Sequence, residues 1–205
     1  MPKALFLCSG TGSVGEPFRE SGWEVTDVDW SPKHKPDIET DITTWDYKAA
    51  FEPGHFQVIW ASPDCTQYSI ARTTAKTPRN FETADKLVQA CLDIIEYLQP
   101  KYFFVENPNS GYLKTRPVVK GLPYVIVDYC MYKCLYRKRT RIWTNCKDWK
   151  PKLCDRSHLV NGKHQATAQQ GPGKHSSTDV HFNRDALHRL PRALCDESFA
   201  VCSTL

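Results

Sequence analysis

The sequence predicts an α/β fold, a parallel sheet with helices packed on both faces. Three observations carry this. Short apolar runs of strand length recur along the first 145 residues, segments of helical period stand among them, and Gly, Pro, Asp and Asn cluster where the runs end. In such sheets ligands lie outside the carboxyl ends of the strands, so the residues that end each run are where chemistry is expected.

Residues 4–8 form an apolar run that ends in Ser9, Gly10, Thr11 and Gly12, a buried strand entering a glycine turn. A helix follows from about 14 to 21, and Gly22 closes it. Residues 24–30 alternate as a second strand carrying Asp27 and Asp29. A loop with Pro32 and Pro36 leads to a short third strand at 38–42, and residues 57–61 form a fourth, ended by Pro63. The clearest helical period spans 81–98. There Phe81, Ala84, Leu87, Val88, Cys91, Leu92, Ile95 and Leu98 share one face, and Gln99-Pro100 stops the helix. A fifth strand at 102–105 ends in Glu106, Asn107 and Pro108; residues 124–130 and 141–144 read as two more. Residues 187–201 regain apolar spacing through Leu190, Leu194 and Phe199, as a helix returning to the main body.

A chain of 205 residues fits one domain, and 40% hydrophobic with 24% charged residues is a globular composition. No apolar run approaches the ~18 residues that span a bilayer, so no membrane partner is expected. The apolar start is too short for a secretory signal, which points to an intracellular protein, in the cytoplasm of a prokaryotic host or the nucleus of a eukaryotic one. In that reducing setting the nine cysteines read as thiols, metal ligands or a nucleophile rather than a disulfide frame. The net charge is +4, yet residues 133–163 alone carry +8. Such asymmetry fits a polyanion partner; a solvated basic loop is the plainer reading.

Three loops carry candidate chemistry. Residues 10–15 read G-x-G-x-x-G between a strand and a helix, and Asp29 sits near the end of the next strand. Glycines there let backbone approach a nucleotide-like ligand, and a carboxylate can hold two ribose hydroxyls. That pattern alone does not separate a nicotinamide dinucleotide from S-adenosylmethionine. Cys65 lies in a tight loop just past a strand, where a thiol is a candidate nucleophile; a small buried hydrophobe is its commoner role. Glu106 brings a carboxylate to the next strand end, where with Cys65 it could grip and protonate a heteroaromatic ring.

Residues 6–12, Pro63-Asp64-Cys65, Glu106-Asn107 and Arg139-Thr140-Arg141 stand in the order and approximate spacing of the cytosine-5 DNA methyltransferase family. Over residues 4–145 the chain resembles its short virus- or phage-type members. The resemblance implies a Rossmann-like methyltransferase sheet, S-adenosyl-L-methionine as cofactor, DNA as partner and methyl transfer to carbon 5 of cytosine. By it, Phe6, Ser9, Gly10, Thr11, Gly12 and Asp29 would hold the methionine and ribose parts of the cofactor, and Asp41 and Ile42 would line its adenine. Cys65 would attack carbon 6 of a flipped-out base, and Glu106 would bond to ring N3 and the exocyclic amine. Arg139 and Arg141 would hold the nucleotide and its phosphate. Asp64 stands where the family usually has proline, Thr66 where it often has Gln, and Arg137 where the arginine motif often has Gln. A carboxylate at 64 opposes a Cys65 thiolate unless it points away. An impaired nucleic-acid-binding module that retains the cofactor pocket is therefore the alternative reading.

The chain then divides into a catalytic domain at 1–145, a small basic recognition region at 146–185 and a C-terminal helix at 186–205. Family members usually insert a long variable domain after the arginine motif, for which this chain has little room. Cys146, Cys154, His158 and His164 fall inside the basic region. Zinc takes Cys and His in a tetrahedron and would fold a loop too small for its own core; four unrelated surface residues are the other reading.

Overall fold

The computed structural model describes residues 1–73, 75–166, 168 and 182–203. Its strands are β1 (Lys3–Leu7), β2 (Glu24–Asp29), β3 (Ile38–Glu39), β4 (Val58–Ala61), β5 (Tyr102–Pro108), β6 (Tyr124–Asp128) and β7 (Arg139–Thr144). The helices are α1 (Glu16–Glu20), α2 (Tyr47–Ala50), α3 (Phe81–Leu98), α4 (Arg184–His188) and α5 (Arg192–Cys202). One sheet holds all seven strands in the order β3-β2-β1-β4-β5-β7-β6. β1 lies inside it, between β2 and β4, with Phe6 opposite both Asp27 and Trp60. Burial on both faces explains why this strand reads as an unbroken apolar run.

Alternation along the strands sorts the core into two layers. Ala4, Phe6, Val58, Trp60 and Phe104 pack with Phe18 of α1 and Leu194 and Cys195 of α5. Leu5, Leu7, Ile59, Ala61 and Val105 pack with Val88, Cys91 and Ile95 of α3. Helices thus cover both faces of a Rossmann-like sheet. α3 matches its expected span: Asn80 accepts a hydrogen bond from the Thr83 amide at its start, and Gln99 adopts the left-handed conformation at its end. Each large aliphatic side chain that α3 fully buries stabilises the fold by about 1.5–3 kcal/mol.

Several expectations change: the third strand, expected at 38–42, is only Ile38–Glu39, and the fifth, expected to end at 105, runs on through Glu106 to Pro108. β1 to β5 are parallel along the sheet, but β7 runs antiparallel between β5 and β6. Only residues 129–138 separate β6 from β7. A parallel crossover needs roughly a dozen residues or more, so the chain turns straight back. The helix expected from 14 shortens to α1, because Gly15 serves as its N-cap and a proline fills its first turn. The C-terminal helix is two, since Pro191 lacks an amide proton and disfavours helix at Leu190.

The strand order positions the site. From β1 the chain builds outward through β2 and β3 on one side, then crosses to β4 and β5 on the other. A crevice forms at the carboxyl ends where that direction switches, between the loops that follow β1 and β4.

Candidate active site

A cleft of about 590 Å³, open to solvent, occupies that crevice. Cys8, Ser9, Gly10 and Thr11 line it from the β1 end, Asp64 and Cys65 from the β4 end, and Glu106 from β5. Lys138, His188 and Leu190 close it from the other side. A small recess beside it, open to solvent, shares the walls Ser9, Val14 and Ser62 and adds Phe6, Gly12 and Asp27.

The glycine turn is held by the Gly12 amide on the Ser9 carbonyl at 3.0 Å and the Gly15 amide on the Gly12 carbonyl at 3.1 Å. Gly10 and Gly12 take φ of +52° and +70°, the left-handed region that favours glycine. Asp29 fastens the turn: its Oδ2 accepts the Gly10 amide at 2.9 Å and its Oδ1 the Ser31 amide at 2.9 Å. Each oxygen keeps a further lone pair for a ligand hydroxyl. Asp27 is paired with Arg19 at 2.6 Å, but its Oδ1 is buried with no hydrogen-bond partner among the described residues. Burial raises the Asp27 carboxyl, against the opposing pull of Arg19. A buried acceptor without a donor, beside a glycine turn and a recess, suits a ligand that brings its own N–H or O–H groups.

Cys65 sits in a turn whose carbonyl accepts the amides of Tyr68 and Ser69. Asn107 Nδ2 ties this loop to β5 by donating to the Pro63 carbonyl at 3.0 Å. Asp64 turns its carboxylate onto Thr66, accepting the amide at 3.1 Å and the hydroxyl at 2.7 Å. Burial, with the Glu106 charge next, pushes the Cys65 thiol up to about 11; Lys138 opposes the shift and Asp64 adds to it. Glu106 is buried and accepts a hydrogen bond from the Tyr129 hydroxyl at 3.3 Å. Burial raises its carboxyl too, against Lys138 and Tyr129.

The two arginines do not join Cys65 and Glu106. Arg139 pairs with the buried Asp128 at 2.6 Å, and Arg141 donates to Asn109 Oδ1 at 3.0 Å while lying 3.8 Å over the Tyr124 ring. Strand alternation is the reason: Thr140 and Ile142 share the sheet face of Glu106, and Arg139 and Arg141 leave by the other. Lys138, one residue before β7, lines the cleft instead. Its Nζ lies 5.0 Å over the Tyr129 ring and donates to the Leu187 carbonyl at 3.2 Å. His188 reaches the same wall, and neither was singled out from sequence. His188 is brought there by the chain's return through α4.

Asp41 and Ile42 also lie apart from the cleft lining. Asp41 accepts the Thr43 amide and hydroxyl in a local turn, and Ile42 is buried in the α3 layer. Cys146 is removed from the expected metal set, since it is buried with Trp149 and Cys202 in the α5 layer. Cys154, His158 and His164 do come together, with Cys130 as the fourth group. Residues 167 and 169–181 of the expected recognition region, and 204–205 of the C-terminal helix, lie outside the described residues.

The family model of C-5 cytosine-specific DNA methylases matches residues 30–115, a span that holds Cys65 and Glu106. The chain is 37% identical over 223 aligned positions to the "Probable DNA (cytosine-5)-methyltransferase" of Frog virus 3 (isolate Goorha), covering 98% of this chain and 100% of the relative. Similar solved structures include Dnmt2 methyltransferase from S. pombe, at 17% identity and a TM-score of 0.49, covering 74% of this chain and 53% of that one. A mutant DNMT2 from Spodoptera frugiperda aligns at 15% identity and a TM-score of 0.43, covering 76% of this chain and 54% of that one. The chain thus spans about half the length of those structures but the whole of its viral relative, and it belongs to the C-5 cytosine-specific DNA methylase family.

Proposed function

We propose that this chain transfers a methyl group from S-adenosylmethionine to carbon 5 of cytosine in DNA, with Cys65 as the nucleophile. One observation carries the proposal: the Ser9–Thr11 turn after β1, Cys65 in the loop after β4 and Glu106 within β5 line one cleft. The cofactor, when bound, supplies an electrophilic methyl group. The residues present fit it: Ser9, Gly10 and Thr11 would face its amino-acid end and Asp29 its ribose, with the orphaned Asp27 Oδ1 as a further acceptor. Phe6 and Gly12 would wall the small recess.

Cys65 Sγ adds to carbon 6 of the cytosine, and the electron pair moved by that addition makes carbon 5 nucleophilic. Glu106, whose carboxyl burial raises, donates to ring N3 when it carries a proton and makes the ring a better electrophile. After methyl transfer, loss of the carbon 5 proton and expulsion of Cys65 Sγ restore the aromatic ring. A thiol pushed up to about 11 is mostly protonated at neutral pH, so its proton must pass to water in the open cleft as the base arrives. Lys138 stabilises the thiolate at that moment. A cytosine inside a duplex cannot reach Cys65, so the base is flipped out or single-stranded.

The raised Cys65 thiol and the carboxylate of Asp64 favour a second reading, a nucleic-acid-binding module with impaired catalysis. Trapping on DNA that carries 5-fluorocytosine separates the two. With S-adenosylmethionine present, an active enzyme forms a complex that survives denaturation, because the fluorine cannot leave as a proton does. Cys65→Ser should form none. DNA binding with no trapped complex and no labelled methyl transfer would establish the second reading.

A further inference from the structure

Away from the cleft, Cys130, Cys154, His158 and His164 each bring one ligand atom within 4.8 Å of the others. Cys154 Sγ is 3.5 Å from His164 Nε2, and the two imidazole centroids are 5.2 Å apart. His158 Nε2 is buried with no hydrogen-bond partner among the described residues. Two thiol sulfurs and two imidazole nitrogens are the donor set of a closed structural zinc site. Bond lengths of about 2.3 Å to sulfur and 2.0–2.1 Å to nitrogen place tetrahedral ligand atoms roughly 3.3–3.8 Å apart. The Cys154–His164 pair already has that spacing, and small side-chain rotations bring the rest to it.

We propose that Cys130, Cys154, His158 and His164 bind one structural zinc ion. The chain around them needs such a tie. Within 151–166 only Ala166 is buried, while Leu153 and Val160 stay half exposed, so this stretch has no core of its own. Left-handed conformations at Arg156, Asn161 and Gly162 fold it back, and Val160 and Lys163 exchange both backbone hydrogen bonds. These turns return His164 to Cys154 across the chain. Cys130 comes from the turn after β6, so the ion would join the basic segment to the sheet. Binding converts the two thiols to thiolates and releases their protons.

The site also connects to the cleft. The Cys154 amide donates to Asp128 Oδ2 at 3.0 Å, and Asp128 pairs with Arg137 and Arg139, the two neighbours of Lys138. A metal that fixes Cys154 therefore positions the strand entry from which Lys138 reaches Cys65 and Glu106. The zinc assignment itself does not depend on methyl transfer.

Elemental analysis and native mass spectrometry of the full chain, purified without chelator, test it directly. One zinc per chain is expected. Cys130→Ser should lose it and Cys146→Ser should keep it, a contrast that also discards the set read from spacing alone. Titrating metal-free wild-type protein with cobalt(II) needs no variant and reads the site even if Cys130→Ser fails to fold. Intense visible bands of tetrahedral cobalt, with sulfur-to-metal charge transfer in the near ultraviolet, are the expected signature. A weak octahedral spectrum, less than about a tenth of a zinc per chain, or full zinc retention by Cys130→Ser would each overturn the proposal.

Discussion

The Tyr129 hydroxyl donates to Glu106 Oε1 across 3.3 Å, and both groups are buried beneath the cleft. Burial raises the Glu106 carboxyl, while Lys138 and this hydrogen bond hold it down. Glu106 serves ring N3 only while it carries a proton. Tyr129→Phe removes a partner of the carboxylate, so Glu106 keeps its proton to higher pH. The alkaline limb of kcat/KM against pH should therefore move upward. A stability loss of about 1 kcal/mol should accompany it, measured by thermal unfolding. A limb that stays in place would mean that another group titrates there.

Cys65 should behave as a thiol that is reactive only when base is supplied. With its pKa near 11, the thiolate fraction rises about tenfold per pH unit between pH 7 and 10. Alkylation by iodoacetamide, followed by peptide mass spectrometry, should show that slope at Cys65. Cys65→Ser should abolish methyl transfer yet leave cofactor affinity within about threefold, because hydroxyls are far weaker nucleophiles at neutral pH. Turnover by the serine variant within tenfold of wild type would exclude Cys65 as the nucleophile.

Lys138→Met removes the cation that lowers both Cys65 and Glu106. Both groups then hold their protons more tightly, and Cys65 alkylation at pH 8 should slow by about threefold to tenfold. Arg139→Lys should leave that rate nearly unchanged, since Arg139 lies with Asp128 on the opposite face of the sheet. Equal slowing in both variants would show a structural rather than an electrostatic cause.

Local signals decided what was legible. α3 was readable because apolar period, a capping Asn80 and Gln99-Pro100 all agree. The carboxyl-end rule puts the glycine turn, Asp27 and Asp29, Cys65 and Glu106 on one rim; the cleft is lined by the turn, Cys65 and Glu106, Asp27 lines the recess beside it, and Asp29 lines neither. Lys138 is not legible in the sequence because the arginine motif points to residues 139 and 141, whereas period-two alternation sends those to the other face. The fourth group of the metal cluster was missed for a different reason. Cys130 lies 24 positions before Cys154 and meets it only because β6 and β7 turn back on each other, which no spacing rule within 146–185 contains.

Asp29→Ala should weaken the cofactor at least tenfold in calorimetry while DNA affinity changes by less than about threefold. Both carboxylate oxygens accept backbone amides, of Gly10 and Ser31, so the substitution loosens the turn as well as removing acceptors. Unfolding should cost about 2–4 kcal/mol less than in wild type. Asp29→Asn, which keeps one acceptor, should fall between. Unchanged cofactor affinity in Asp29→Ala would move the ribose role to Asp27, whose Oδ1 is the orphaned acceptor.

The basic segment should contribute affinity rather than sequence reading. Lys150, Lys152 and Lys163 are exposed; Lys152 stands 3.8 Å from Glu197, and Lys150 and Lys163 form no ion pair among the described residues. Exposed ammonium groups on a short, core-poor stretch reach phosphates readily, but they lack the fixed geometry that reads base edges. Each phosphate contact releases condensed counterions and adds about 0.9 to the slope of log affinity against log salt. Replacing all three lysines with Gln should therefore flatten that slope by up to about three. Binding should weaken in similar proportion on unrelated duplexes. Fluorescence anisotropy across several salt concentrations, on at least two sequences, measures both effects. A loss confined to one sequence, with the salt slope unchanged, would mean that these lysines read bases after all.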